Sequence, residues 1–321
     1  MLYPLKFHPI LKEKIWGGNK FKILLNKPFL EGNIGESWEI STVGEDISVV
    51  SNGELVGGNL VELIKEYKGN LIGKKTYEEF GNQFPLLIKF IDAKEELSVQ
   101  LHPNDELAKE RHNSFGKTEM WYVVQADKET KLIVGFNRKT SKEEYQKYLE
   151  EGKIEELLNF ENIVAGDSYF INAGKIHAIG AGSLIAEIQQ TSDITYRVYD
   201  WERKDSKGNQ RELHTELALE ALDFSFKKDY KIEYSQTTNR VNPHVNSTYF
   251  NTNFLNVNGK LKRNYSSIDS FVTLICVEGI TEIMCKNQKY DLVMGETILL
   301  PACIQEVELI CDASKIIEVF I

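Results

Sequence analysis

Four side chains in the middle of the chain could together hold a metal ion: Gln100, His102, Glu119 and His177. Zinc takes imidazole nitrogen and carboxylate oxygen, and catalytic zinc sites commonly combine three such ligands with one exchangeable position. Two histidines and a glutamate supply that set. Gln100, two residues before His102, could add a side-chain carbonyl as a fourth donor. A non-haem iron site also uses two histidines and one carboxylate, so ligand type alone does not choose the metal. A Gln-x-His pair by itself identifies nothing, because histidine serves many roles. Glu119 and His177 further along the chain give it weight.

The elements that would position these groups are strands. From Glu96 to Asp105, Leu97, Val99 and Leu101 alternate with Ser98, Gln100 and His102. Successive side chains on a strand point to opposite faces, so Gln100 and His102 project side by side. The apolar run Phe84–Ile91 leads into this stretch, which predicts a position inside a sheet with the polar face lining a cavity. Pro103 cannot donate to a ladder and should end the strand at His102. Lys117 to Val124 reads as another strand, with Lys117, Glu119 and Trp121 on one face. A buried carboxylate there needs a partner or a metal. His177 follows a strand at Asp167–Ile171 and a turn at Asn172–Lys175, and Gly174, Gly180 and Gly182 allow close backbone approach around it. Leu184–Gln190 and Ile194–Trp201 are two further strand-like runs; Glu187 in the first reads equally as a rim charge with an arginine partner.

Elsewhere, Ile15–Gly18 reads as a strand end entering a turn, and Gly35–Ser41 as a strand. Trp16 and Trp38 read as core or wall residues. Leu60–Tyr67 has helical spacing, with Asn59 as N-cap and a stop at Lys68–Asn70. Asn104–His112 is a short charged helix in which His112 is solvated. Ser141 to about Phe160 is helical, with a Ser141/Glu144 capping box and Gly152 separating two pieces. It reads as an insertion at about 139–160. A helix at about 214–223 is capped by Thr215. Beyond Tyr230 come short strands, Phe271–Val277, Thr281–Cys285, Thr297–Pro301, Val307–Cys311 and Ile316–Ile321, spaced as in an all-β barrel or sandwich. That region carries His244 but no ligand cluster. Ala165–Gly174 resembles Met294–Cys303, which suggests a duplication with one active and one inactive copy. The expected division is a catalytic domain over 1–229 and a structural or modulating β domain over 230–321.

The composition sets limits. The 321 residues favour two domains. A formal net charge of -10 argues against nucleic acid and anionic membranes as partners, although a local basic cluster could still take an anionic small molecule. The start, Met1–Phe7, lacks a signal-peptide pattern, and no apolar run is long enough to span a bilayer. The expected location is the cytoplasm, and the expected state a monomer or weak homodimer. Cys276, Cys285, Cys303 and Cys311 read as reduced, buried small hydrophobes.

The runs Trp16-Gly17-Gly18, Gly35-Glu36-Ser37-Trp38-Glu39, Leu97 to Asp105, Lys117-Thr118-Glu119-Met120-Trp121-Tyr122, Ile176 to Gly182 and Thr195 to Trp201 resemble those of type I mannose-6-phosphate isomerases in their compact bacterial form. They are spread over about two-thirds of the chain in the family order. The resemblance implies a mainly β, cupin-type jelly-roll fold with two barrels, the second degenerate. It implies one Zn2+ per chain on Gln100, His102, Glu119 and His177, and the interconversion of mannose 6-phosphate and fructose 6-phosphate through an enediol(ate). Arg197 matches the family's active-site arginine, Lys117 and Glu187 match polar active-site positions, and Ser98 lies where the family contacts the phosphate end. Asn172 stands where the family often has proline. Two rivals share the fold: an iron-dependent oxygenase, and a sugar-binding protein without turnover. Lys117, Glu187 and Arg197 together argue against the second, since a binder needs no proton shuttle.

Overall fold

The structure, a computed structural model, describes residues 2–28, 32–204 and 207–321. The first part of the chain forms strands β1 Ile10–Gly18, β2 Ile34–Ile40, β3 Thr42–Val43, β4 Asp46–Ile47, β5 Leu86–Ala93, β6 Val99–Leu101, β7 Glu119–Ala126, β8 Lys131–Phe136, β9 Leu158–Asn162, β10 Ser168–Ile171, β11 His177–Ile179, β12 Ser183–Gln190 and β13 Tyr196–Tyr199. The remainder forms β14 Asn242–Asn246, β15 Asn251–Asn264, β16 Val272–Cys285, β17 Gln288–Val293, β18 Thr297–Leu300 and β19 Glu306–Phe320.

Among the described residues these make two facing antiparallel sheets, a third sheet beyond them and a two-stranded ribbon, β3-β4. The first has the order β1-β2-β5-β12-β7-β10, and the second β13-β6-β11-β8-β9. Between them lies a core of Trp16, Ile91, Trp121, Val123 and Ile185 from the first sheet against Leu132, Val134 and Ile179 from the second. The opposite face of the first sheet, with Ile88, Phe90, Met120, Tyr122, Ala186 and Ile188, packs on the helix Leu60–Tyr67 and on Phe254, Phe271 and Ile317 of the third sheet. Both faces of β5 and β12 are therefore covered, and every residue on them is buried. The helices Lys142–Glu150 and Thr215–Ala221 cover the outer face of the second sheet through Tyr145 and Ala218, packed with Val99, Leu101, Tyr196 and Val198. The third sheet, β14-β15-β19-β16-β17 with β18 on β16, wraps a core of its own around Leu274, Leu309 and Ile316.

Local signals account for many boundaries. Asn59 caps its helix through bonds from the amides of Val61 and Glu62, and Ser141 through a bond from that of Glu144. The turn glycines preceding β10 and β18, Gly166 at φ 94° and Gly295 at φ 86°, occupy matching places in the two similar segments.

Several expectations need correction. The helical stretch ends at Leu157, and Leu158–Asn162 instead pairs with β8. Thr215 is the first helical residue; His214 occupies the cap position and makes no side-chain cap bond. The runs at Phe271–Val277 and Thr281–Cys285 are one strand, β16. Glu278 and Gly279 break the apolar alternation there, and register shifts between Cys276 and Glu282 let the ladder continue. Likewise Val307–Cys311 and the run from Ile316 belong to one strand, β19, which ends at Phe320 rather than at Ile321. Most of β15 was hidden by its asparagines, which are poor strand formers. Cys303 is exposed and Cys311 half-buried, unlike Cys276 and Cys285. His112 is exposed but bonded, its Nε2 lying 2.8 Å from the Tyr196 hydroxyl.

Candidate active site

The site lies between the two facing sheets. On the second sheet, β6 pairs with β11 so that Gln100 stands opposite His177, and with β13 so that Arg197 stands opposite Gln100. Directly opposed residues share a face. Arg197, Gln100 and His177 therefore form one row. On the first sheet, register sets Trp38 opposite Lys89, Lys89 opposite Glu187 and Glu187 opposite Trp121. β6 ends at Leu101, so His102 lies one residue past the ladder, ahead of Pro103. Glu119 begins β7.

These rows bring His102, Glu119 and His177 together, with one ligand-type atom from each within 4.8 Å of the others. Glu119 Oε2 is 3.4 Å from His102 Nε2, and Glu119 Oε1 is 3.4 Å from His177 Nε2. The Nδ1 atoms lie 2.8 Å from the carbonyls of Ile194 and Lys175 respectively. Only a protonated Nδ1 can bond a carbonyl, so each ring turns its Nε2 lone pair toward Glu119. Both Nε2 atoms and both Glu119 oxygens are buried without a hydrogen-bond partner among the described residues. Four such atoms converging on one point are costly unless a cation satisfies them. Burial, and then the Lys117 ammonium, pushes His102 down to about 3, and burial lowers His177 as well. The neutral imidazole is the form a metal takes. Burial pushes Glu119 upward, but the Lys117 ammonium 3.4 Å away outweighs it and holds it below the usual carboxylate range.

From this cluster a line of alternating charges runs across the first sheet. Lys117 Nζ lies 3.4 Å from Glu119 and 4.0 Å from Glu187. Lys89 Nζ lies 2.9 Å from Glu187 and 4.0 Å from Glu36, and Lys14 Nζ lies 3.3 Å from Glu36. The indoles of Trp121 and Trp38 donate to Glu187 and Glu36 at 2.8 and 2.7 Å. Burial, then the Glu119 charge, raises Glu187 above the ordinary carboxylate value despite Lys89 and Lys117. Burial would raise Glu36 too, yet Lys89 and Lys14 win and hold it at about 2. Burial opposes the charge on Lys89, but Glu187 and Glu36 keep it above the ordinary lysine range.

A cavity of about 350 Å³ opens over this line, with Gln100, Lys117, Glu187, Ser98, Arg197 and Arg211 among its walls. Arg197 is half-buried. Its Nε donates to Ser98 Oγ at 3.3 Å and its Nη1 to the Glu212 carbonyl at 2.9 Å. Ser98 Oγ also donates to Gln100 Oε1 at 3.3 Å.

Residues 4–134 match the family described as phosphomannose isomerase type I, catalytic domain, and residues 240–320 match the mannose-6-phosphate isomerase cupin domain. Mannose-6-phosphate isomerase ManA of Bacillus subtilis strain 168 is 34% identical over 309 residues, 95% of each chain. The chain belongs to the type I mannose-6-phosphate isomerase family. The mannose-6-phosphate isomerase of Streptococcus mutans is 34% identical over 95% of this chain and 94% of that one. The crystal structure of mannose 6-phosphate isomerase from Bacillus subtilis superposes with a TM-score of 0.88 at 31% identity, covering 100% of both chains. The apo enzyme from Salmonella typhimurium, at 15% identity, shares the fold with a TM-score of 0.79 over 100% of this chain and 99% of that one. The mainly β, cupin-class architecture and the enzyme class expected from the sequence thus hold for this isomerase-family chain.

All the residues singled out in the sequence reach this one region: Gln100, His102, Glu119, His177, Lys117, Glu187, Arg197 and Ser98. Lys117 stands ahead of β7 rather than within it, with its amide bonded to the Pro103 carbonyl at 3.1 Å. Sequence reasoning missed Lys89, Glu36 and Arg211. Lys89 is a buried lysine inside Leu86–Ala93, a fully buried strand whose one other charge is Asp92, and that anomaly was the available signal. Glu36 likewise is a charge on a fully buried strand, on the same face as Trp38.

Proposed function

We propose that the chain is a zinc-dependent aldose-ketose isomerase that interconverts mannose 6-phosphate and fructose 6-phosphate. The observation that carries this reading is the convergence of Glu119, His102 Nε2 and His177 Nε2 next to Lys117, which with Glu187 and Gln100 lines the adjoining cavity, in a chain of this family. One zinc ion per chain would be held by His102, Glu119 and His177, with the Gln100 carbonyl as the fourth donor. Bound there, zinc supplies Lewis-acid polarisation of the substrate's carbonyl oxygen, worth several kcal/mol.

The chain's own groups do the rest. Isomerisation moves a proton between C2 and C1 through an enediol(ate), so an acid/base must reach both carbons. Glu187 takes this role. Its environment raises its proton affinity, and the Trp121 indole and Lys89 fix its orientation. Lys117, between Glu119 and Glu187, moves the hydroxyl proton between the substrate oxygens. Arg197, opposite Gln100, binds the substrate and holds the negative charge that develops on the enediolate. Ser98 contacts the substrate toward its phosphate end and orients Arg197.

The catalytic domain is assigned to 1–229, and a degenerate cupin-like barrel to 230–321. A cytoplasmic monomer or weak homodimer is the form we propose. Among the described residues no helix is long and apolar enough to cross a membrane.

The test is turnover of mannose 6-phosphate, with fructose 6-phosphate detected, for native, chelator-treated and zinc-restored protein. Activity lost with the metal and regained with zinc is the expected outcome. Folded, fully zinc-loaded protein without turnover overturns the assignment.

A further inference from the structure

The charges around the cavity are unevenly matched. Lys12 is paired with Asp46, Lys14 with Glu36, Lys89 with Glu187 and Glu36, and Lys117 with Glu119. The guanidinium groups are not matched in this way. Arg197 has a hydroxyl and a carbonyl as partners and no carboxylate within ion-pair distance among the described residues. Arg203 and Arg211 both pair with one buried carboxylate, Asp200. Among the described residues Asp200 is the one carboxylate within ion-pair distance of any of these three guanidinium groups, although Asp193 also lines the cavity.

We infer that Arg211, held in place by Asp200, anchors the phosphate of the substrate at the cavity rim and sets the preference for phosphorylated over free sugar. This rests on the sugar-phosphate isomerase reading above and assigns its anion-binding end.

Arg211 lines the same cavity as Gln100, Lys117 and Glu187, and its side chain is 27% exposed. Its Nε donates to Asp200 Oδ2 at 2.7 Å and its Nη2 to Asp200 Oδ1. That bidentate grip fixes the planar fork and leaves the Nη1 edge, whose donors suit a phosphate oxygen. Arg203 also donates to Asp200 Oδ1, at 2.6 Å, and to the Glu96 carbonyl, and it does not line the cavity. Arg203 therefore positions Asp200, and Asp200 positions Arg211.

The backbone is shaped for this arrangement. Trp201 and Glu202 sit consecutively at φ 55° and 54°, a left-handed conformation that non-glycine residues rarely adopt. Such strain persists where the surroundings enforce it, commonly at functional sites. Here it turns the chain so that Arg203 returns to Asp200. The excursion closes on β13, where the His214 amide donates to the Arg197 carbonyl at 2.7 Å and the Arg197 amide to His214 Nδ1 at 3.1 Å. Arg197 and Arg211 are thereby fixed near each other. Burial, and then the charge of Arg211, weakens the hold of Arg197 on its proton. A phosphate dianion at the rim relieves that repulsion.

The experiment compares Arg211→Gln and Arg211→Lys with the wild type, all zinc-loaded. It measures kcat and KM for mannose 6-phosphate, kcat/KM for unphosphorylated mannose, and calorimetric binding of mannose 6-phosphate. Loss of one charge-assisted anchor should raise KM for the phosphosugar about 10- to 100-fold. The same substitution should leave kcat/KM for free mannose within about threefold, and Arg211→Lys should recover part of the phosphosugar affinity. A merely structural role would depress both substrates together, and that result overturns the inference. So does unchanged KM and unchanged binding in Arg211→Gln. If zinc-loaded wild type binds mannose 6-phosphate without converting it, the isomerase reading fails. Weaker binding by Arg211→Gln would then still support the anchor.

Discussion

Replacing Lys89 with methionine should destabilise the protein by about 3–5 kcal/mol, and most of that loss should depend on Glu187. The Lys89 ammonium lies 2.9 Å from Glu187 and 4.0 Å from Glu36, on a strand whose residues are all buried. At an effective dielectric of about 20, the nearer attraction alone is worth about 6 kcal/mol. Part of that only offsets the desolvation of the charges, and breaking a buried pair by removing one partner typically costs about 3–5 kcal/mol. Methionine fills a similar volume, so a cavity adds little. The stranded carboxylate is the main term. Lys89→Met combined with Glu187→Gln should therefore be more stable than the sum of the single losses predicts, by about 2 kcal/mol or more. Urea unfolding of the four proteins in a double-mutant cycle reads this directly. The pH dependence has a definite sign. Without Lys89 the folded-state proton affinity of Glu187 rises further above its unfolded value. The folded state then binds more protons, so the deficit of Lys89→Met should shrink as pH falls from 7 toward 5. A loss under about 1 kcal/mol, additive single effects, or a deficit that grows on acidification would each refute the charge-line account.

Other outcomes follow from the same geometry. Glu119→Gln keeps the shape but removes the only carboxylate among the three clustered ligands, so zinc per chain should fall well below that of wild type while the fold persists; metal analysis after dialysis checks this. His244 is buried against Tyr234 and Phe254, with both ring nitrogens unpartnered among the described residues, and burial lowers it to about 4. Its folded-state value lies below its unfolded value of about 6.5. Stability should therefore be unaffected above that value and fall between it and about 4, by about 2 kcal/mol at pH 5. His244→Phe should remove that dependence in urea unfolding at pH 7 and 5, and an unchanged slope would contradict it. A Cβ at Gly180 would come 2.0 Å from the Lys131 carbonyl oxygen. Gly180→Ala should accordingly push β11 off β8, lower the melting temperature and weaken zinc retention through His177; normal stability and zinc content would show that the contact relaxes without effect.

The candidate ligand residues were legible because each sits at a break in a simple pattern. Gln100 and His102 are polar members of an alternating run, and Glu119 is a carboxylate two residues from a tryptophan on the same strand face. Alternation is a local property, so it survives without knowledge of which strand lies next door. The helix caps at Asn59 and Ser141 were legible for the same reason. Long strands were read less well. Bulges at Glu278–Gly279 in β16, and the polar middle of β19, interrupt the period while the ladder continues, since its register is set by the neighbouring strand.

The sequence by itself determined which side chains could bind a metal, which faces they take and, through its motifs, the family. Those are consequences of residue chemistry and of the two-residue strand period. Only the tertiary structure decided that Lys89 and Glu36 join the site, that His102 and His177 turn Nε2 toward Glu119, and that Arg197 has no carboxylate within ion-pair distance among the described residues while Arg203 and Arg211 share one. The physical reason is that charge pairing and desolvation depend on distances between residues far apart in the chain, and those distances exist only once the two sheets face each other.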